Sequence, residues 1–201
     1  PYFDGSWTWT EDGWFWVSDE PWGWATYHYG RWIYDAAFGW IWVPGYVWAP
    51  AWVAWRYGDG YVGWAPLYPG AGPWWVDYPV PITYWCFVPT ARFVGIPVHT
   101  AFVPYATVRE VFHRTQPAPP LAHRAGPAPP LGGPPRPSVE AVVGRPLPPV
   151  RVVSAPTPAA ARGRPPEGTV PAYRPRGVAP LPAAASPARP AAPTPAAPRA
   201  E

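Results

Sequence analysis

The chain has 201 residues, with 16 Trp, 37 Pro, one Cys, no Met and a formal net charge of +3. That length suits one domain with an appendage. The single thiol, Cys86, excludes an internal disulfide framework, and no apolar run approaches the roughly 18 residues that a membrane-spanning helix needs.

The charge is unevenly distributed. Residues 1–115 hold five Arg and nine Asp or Glu, a net −4, whereas residues 116–201 hold ten Arg and three Glu, a net +7. All sixteen Trp lie between Trp7 and Trp85, and twenty-five of the thirty-seven Pro follow residue 115. The composition therefore divides the chain into a Trp-rich β domain at 1–115 and a Pro/Ala/Arg-rich low-complexity tail at 116–201. The sequence begins at Pro1, so a processed chain or a piece of a longer one is expected, with any export signal upstream.

In chain order, "GSWTWTEDGWFWVS" reads as a hairpin. Rings recur at i and i+2, which is strand periodicity, and "EDG" is turn chemistry. A two-residue loop at Glu11 and Asp12 sets Trp9 opposite Trp14 and Trp7 opposite Trp16. The pairs Trp22/Trp24 and Tyr27/Tyr29 keep the same spacing and predict a further strand over 22–29. "GRWIYDAAFGWIWVP" reads as a second hairpin centred on Ala37, with Tyr34 facing Trp40 and Trp32 facing Trp42. A third, turning at Asp59 and Gly60, sets Trp55 opposite Trp64. Each direct cross-strand aromatic pair contributes roughly 0.2–1 kcal/mol.

The first two hairpins align with each other. Trp7 matches Trp32, Trp14 matches Trp40 and Trp22 matches Trp48, a period of 25 to 26 residues. The fold class expected is all-β, an antiparallel meander of repeated Trp-rich hairpins followed by a largely disordered Pro/Ala-rich tail. Trp takes the place of Leu and Ile as core, since each large ring buries roughly 150–250 Å². Strands near 82–88 and 93–103 complete the domain, and "ATVREVFHR" fits either a short helix or a strand. In the tail, Pro removes backbone donors, and little apolar area offsets the ordering entropy. Two islands, 138–153 and 168–177, carry Val clusters suited to short strands or to packing on the front domain.

The blocks "WGWATYHYGRW" and "GRW…GWIWVP" resemble a Trp-rich family of Gram-negative bacteria, frequent in myxobacteria, whose setting is the cell envelope, sometimes beside FecR-like domains. The resemblance is dense over roughly residues 3–70 and weaker through "YWCFVPTARF", "VEAVVGRPLPPVRVV" and "VPAYRPRG". It implies an exported protein of the periplasm, outer membrane or cell surface, and it brings no activity with it.

The aromatic residues are too many for one face of a sheet. A row formed by Trp22, Trp24, Tyr27 and Tyr29, with Trp48, offers flat rings on which a sugar stacks, and Asp19, Glu20, Asp35 and Asp59 supply acceptors for hydroxyls. The competing expectation is that both faces are buried and the rings are core. Catalysis has little support. Asp19 and Glu20 are neighbours in sequence and do not oppose each other as a glycosidase pair must. His28, His99, His113 and His123 lack metal-ligand spacing, no Ser sits in G-x-S-x-G, and no phosphate-binding loop follows a strand. No catalytic, cofactor or metal residue is therefore assigned. The acidic charge of the aromatic half separates stacking from phosphate contact and argues against single-stranded nucleic acid. The tail, with PxxP spacings such as Pro117/Pro120, suits a spacer or a protein partner. The expected function is a non-catalytic envelope or surface module that is structural or binds polysaccharide or peptidoglycan through aromatic faces. The alternative is a scaffold for a protein partner with all rings buried.

Overall fold

The computed structural model describes residues 1–69, 80–118, 132–162 and 167–175. Strands dominate, mostly as small antiparallel sheets. The hairpins are β1 (Gly5–Thr10) with β2 (Gly13–Ser18), β3 (Arg31–Asp35) with β4 (Gly39–Val43), and β5 (Val53–Gly58) with β6 (Tyr61–Pro66). The third hairpin is widened by β7 (Cys86–Pro89) beside β6 and by β8 (Gln116–Pro117) beside β5. The three hairpins lie in separate sheets rather than in one continuous meander.

Their registers are those that ring spacing and turn chemistry dictate. Trp7 faces Trp16 and Trp9 faces Trp14. Trp32 faces Trp42, Tyr34 faces Trp40, and Trp55 faces Trp64. Each turn has its own chemical lock. The Thr10 hydroxyl donates to the Gly13 carbonyl at 2.8 Å. The Asp35 carboxylate accepts from the amides of Ala37 and Phe38 at 2.8 and 3.0 Å. Asp59 and Gly60 both take positive φ, 49° and 80°, which a tight two-residue hairpin turn requires.

Three expectations are corrected. Residues 22–29 form no strand; they hold a single helical turn, α1 (Gly23–Thr26), in which the Ala25 and Thr26 amides bond to the Trp22 carbonyl and the capping Tyr27 amide to the Gly23 carbonyl. Residues 93–103 form no strand either. The prolines at 97 and 104 remove ladder donors, and the chain makes short 3-10 turns at Thr90–Arg92 and Val98–Thr100 instead. The segment 82–88 is half strand, with a 3-10 turn at Ile82–Tyr84 before β7. The ambiguous stretch is helix α2 (Tyr105–Arg114). The first tail island forms helix α3 (Arg136–Val143) and then strand β9 (Arg151–Ala155). The second forms β10 (Thr169–Tyr173), paired parallel to β9. The remaining tail, where the low-complexity expectation chiefly falls, lies outside the described residues.

The core is aromatic. Trp7 lies 5.0 Å from Trp16, 4.5 Å from Trp55 and 5.5 Å from Trp64, centroid to centroid. Tyr2 ties it to the loops: its hydroxyl donates to the Tyr27 carbonyl and accepts from the Trp52 amide, and its carbonyl accepts from the Trp64 indole. Val139 of α3 and Leu147 join the same cluster, and the Trp14 indole donates to the Pro134 carbonyl at 2.9 Å. A second cluster, with Trp52, Trp85 and Phe87, lies beneath α2. There Gly63 is obligatory, because a Cβ would overlap the Phe87 ring. Gly30 and Gly45 meet at the root of the β3–β4 hairpin, where a Cβ on Gly45 would stand 2.8 Å from the Gly30 Cα.

Trp64→Ala removes a fully buried ring and should cost about 3–5 kcal/mol of unfolding free energy. Trp22→Ala, at 54% exposure, should stay within about 0.5 kcal/mol. Urea unfolding of the two variants checks both values.

Candidate functional site

Strand β2 presents Trp14 and Trp16 to the main core and, by alternation, Phe15 and Val17 to the opposite side. That second face is covered by β10, whose Val170 and Ala172 bury Phe15. Where β10 lifts away from β2, a cleft of about 310 Å³ opens. Its walls come from β2, the turn at 18–21, α1, the 3-10 turn at Ala160–Arg162 and β10, and its polar lining includes Ser18, Asp19, Glu20, His28 and Arg162. Trp24 of α1 and Tyr173 of β10 form one corner, with centroids 5.2 Å apart and planes at 81°.

Hydrogen bonds fix this geometry. The Tyr29 hydroxyl donates to the Tyr173 carbonyl at 3.0 Å. The Glu20 amide donates to the Ser18 hydroxyl at 3.1 Å, which holds the acidic turn. The Tyr27 hydroxyl donates to the Glu20 carboxylate, and burial together with that neighbour pushes the phenol well above its ordinary range. Behind the cleft, Trp48 meets two side chains: the His28 ring stacks on it at 6.0 Å, and the Arg174 guanidinium sits 3.6 Å from its centroid. Arg174 also pairs with Asp12 at 2.9 Å, so the chain end of β10 is tied to the first hairpin. His28 is buried; its Nδ1–H donates to the Ala49 carbonyl at 2.9 Å. Burial first, and then the nearby Arg174 charge, lower its pKa to about 4, so it is neutral at pH 7. The Cys86 thiol is pushed up to about 11 by burial.

The five aromatic residues expected at a ligand surface are thus distributed unequally. Trp24, Tyr29 and Trp48 gather beneath Tyr173 and Arg174. Trp22 stands exposed beside them, and Tyr27 is 2% exposed within the core. Because 22–29 is not extended, these rings form no continuous flat row. Of the acids, Asp19 and Glu20 line the cleft. Asp35 locks its own turn and Asp59 pairs with Arg114. Sequence reasoning missed Phe15, Arg162, Tyr173 and Arg174. The alternation of Val170, Ala172 and Arg174 in "TVPAYR" was the one available signal. Among the described residues, no three His, Cys, Asp or Glu side chains gather as a metal site would require.

Residues 1–71 match the model of a family of unknown function, DUF6600. No curated protein and no solved structure matches the chain. The DUF6600 segment supplies one side of the cleft, from Phe15 to His28, and residues 161–173 supply the other. Six of the sixteen residues that line the cleft therefore lie beyond the family segment.

Acid tests the buried histidine. The unfolded chain binds a proton at His28 near pH 6.5, the folded chain only near 4. Its contribution is complete above pH 6.5 and is lost as pH falls toward 4, by roughly 3 kcal/mol. In His28→Gln this window should flatten, as read from thermal unfolding between pH 4 and 7.5.

Proposed function

We propose that this chain is a non-catalytic module of the bacterial cell envelope that binds a polysaccharide, with peptidoglycan glycan as the leading candidate, at the cleft between β2, α1 and β10. The observation that carries the reading is the pairing of aromatic and polar groups in one opening. Trp24 and Tyr173 form a ring-lined corner, and Asp19, Glu20 and Arg162 stand on the same walls. A sugar presents apolar C–H faces to such rings and hydroxyls to such carboxylates and guanidinium groups. The volume falls at the lower end of the ~300–1,000 Å³ range of ligand pockets.

The envelope setting rests on the family resemblance, as do export, myxobacterial-type origin and FecR association. Cleavage is not assigned. Asp19 and Glu20 come from one turn, whereas hydrolysis needs carboxyl groups on opposite sides of the scissile bond. Burial of Trp7, Trp14, Trp16, Trp55 and Trp64 favours a second reading, a scaffold in which the rings serve packing alone.

Intrinsic fluorescence of the full chain, titrated with soluble peptidoglycan fragments and neutral bacterial polysaccharides, separates the two. The sugar reading expects saturable quenching or a blue shift, weakened at least tenfold by Trp24→Ala and by Asp19→Asn while far-UV circular dichroism is unchanged. A flat titration leaves the scaffold.

A further inference from the structure

Six of the ten large apolar side chains that stand exposed among the described residues lie within 34–47: Tyr34, Phe38, Ile41, Val43, Tyr46 and Val47. Phe38, at the hairpin tip, is 80% exposed. Such concentration marks an interaction surface more than scattered exposure does.

The backbone points to the same place. In the first hairpin β1 makes bridges to Val94 and Val150, and the Trp16 amide of β2 donates to the Pro50 carbonyl at 3.0 Å; the third is flanked by β7 and β8. The β3 side of the second hairpin is occupied, because the Trp32 amide donates to the Leu67 carbonyl at 3.1 Å. Strand β4 pairs only with β3 among the described residues. It reads Gly-Trp-Ile-Trp-Val, with no charge and no internal proline, so it lacks the usual guards of an edge strand.

We propose that β4 pairs antiparallel with β4 of a second copy of this chain, about a two-fold axis at Ile41. The sequence of the strand is self-complementary in that register. Trp40 falls opposite Trp42 of the second copy, the ring-opposite-ring arrangement that every hairpin of the chain uses. Combined with the β3–β4 register, the aromatic row becomes Trp32, Trp42, then Trp40 and Tyr34 of the second copy. On the other face Ile33 and Ile41 meet Ile41 and Ile33 of the second copy. In the outermost row Arg31 and Val43 of one copy align with Gly39 and Asp35 of the other, the Arg31 guanidinium staying over the Trp52 ring of its own copy. Main-chain hydrogen bonds supply the adhesion and the side-chain rows the register.

Sedimentation velocity of the full chain, from micromolar to hundreds of micromolar, should show a reversible dimer. Ile41→Lys places two like charges opposite each other at the axis and should weaken association more than tenfold with unchanged far-UV circular dichroism. Register is read by crosslinking in a Cys86→Ala background. Ile41→Cys should give a disulfide-linked dimer on mild oxidation, and Val43→Cys should not, because residue 43 faces residue 39. This pair also decides the matter should Ile41→Lys misfold. A chain monomeric throughout, a dimer indifferent to Ile41→Lys in a folded protein, or equal crosslinking at 41 and 43 overturns the proposal.

Discussion

The fold depends on indole rings meeting across strands. A core of Leu and Val is held by contact alone, without donors to satisfy. A tryptophan core adds one N–H per ring, and a buried N–H without an acceptor costs about 1–3 kcal/mol. Most of the bonded indoles reach carbonyls outside the strands. Trp14 donates to Pro134, Trp32 to Thr26, Trp42 to Tyr29, Trp52 to His28 and Trp64 to Tyr2, all backbone carbonyls outside the strand ladders. Packing and loop placement are thereby one problem. Trp7, Trp16 and Trp48 are the exceptions, with buried indole nitrogens lacking a partner among the described residues. The first two lie where ring contacts are densest, and there packing outweighs the hydrogen bond.

The second half of the chain is joined to this arrangement at several points. Gly133 takes a φ of 137° and lies so close to the Trp14 ring that any Cβ there would overlap it. The Val150 amide donates to the Trp9 carbonyl at 2.9 Å, and Arg174 reaches both Asp12 and Trp48. The small parallel pair of β9 and β10 contributes few buried side chains of its own. It rests on Phe15, and what it covers is the aromatic group that includes Trp24, Tyr29 and Trp48.

The three hairpin registers were legible in the sequence because two local signals agreed. Ring spacing of two fixed the faces, and the residues at 11–13, 36–39 and 58–60 fixed the turns. At 22–29 only the first signal was present. Trp22 and Trp24 share the spacing of a strand, but Pro21, Gly23 and Ala25 impose no extended backbone, and the chain makes one helical turn. At 93–103 the apolar residues suggested a strand, and Gly95 and Pro97 prevented it. The cleft was half legible. Trp24, Tyr29 and Trp48 were named from ring content, as were the acids at 19 and 20. Their partners Tyr173 and Arg174 lie more than a hundred residues away, and the short alternation in "TVPAYR" marks a strand without marking what it pairs with or covers.

The glycine contact at the root of the second hairpin has a mechanical meaning. Gly30 and Gly45 let the two strands leave the body with backbone resting on backbone, and the Trp42 indole closes over the same joint. Beyond the joint the hairpin projects by the five residues of β3, roughly 16–17 Å, and Tyr34 and Trp40 rest against Tyr84 on the way out. The direction in which the strands leave the joint sets where the tip at Phe38 stands. The aim of the exposed aromatic and aliphatic residues is set by the absence of two methyl groups at the opposite end of the arm.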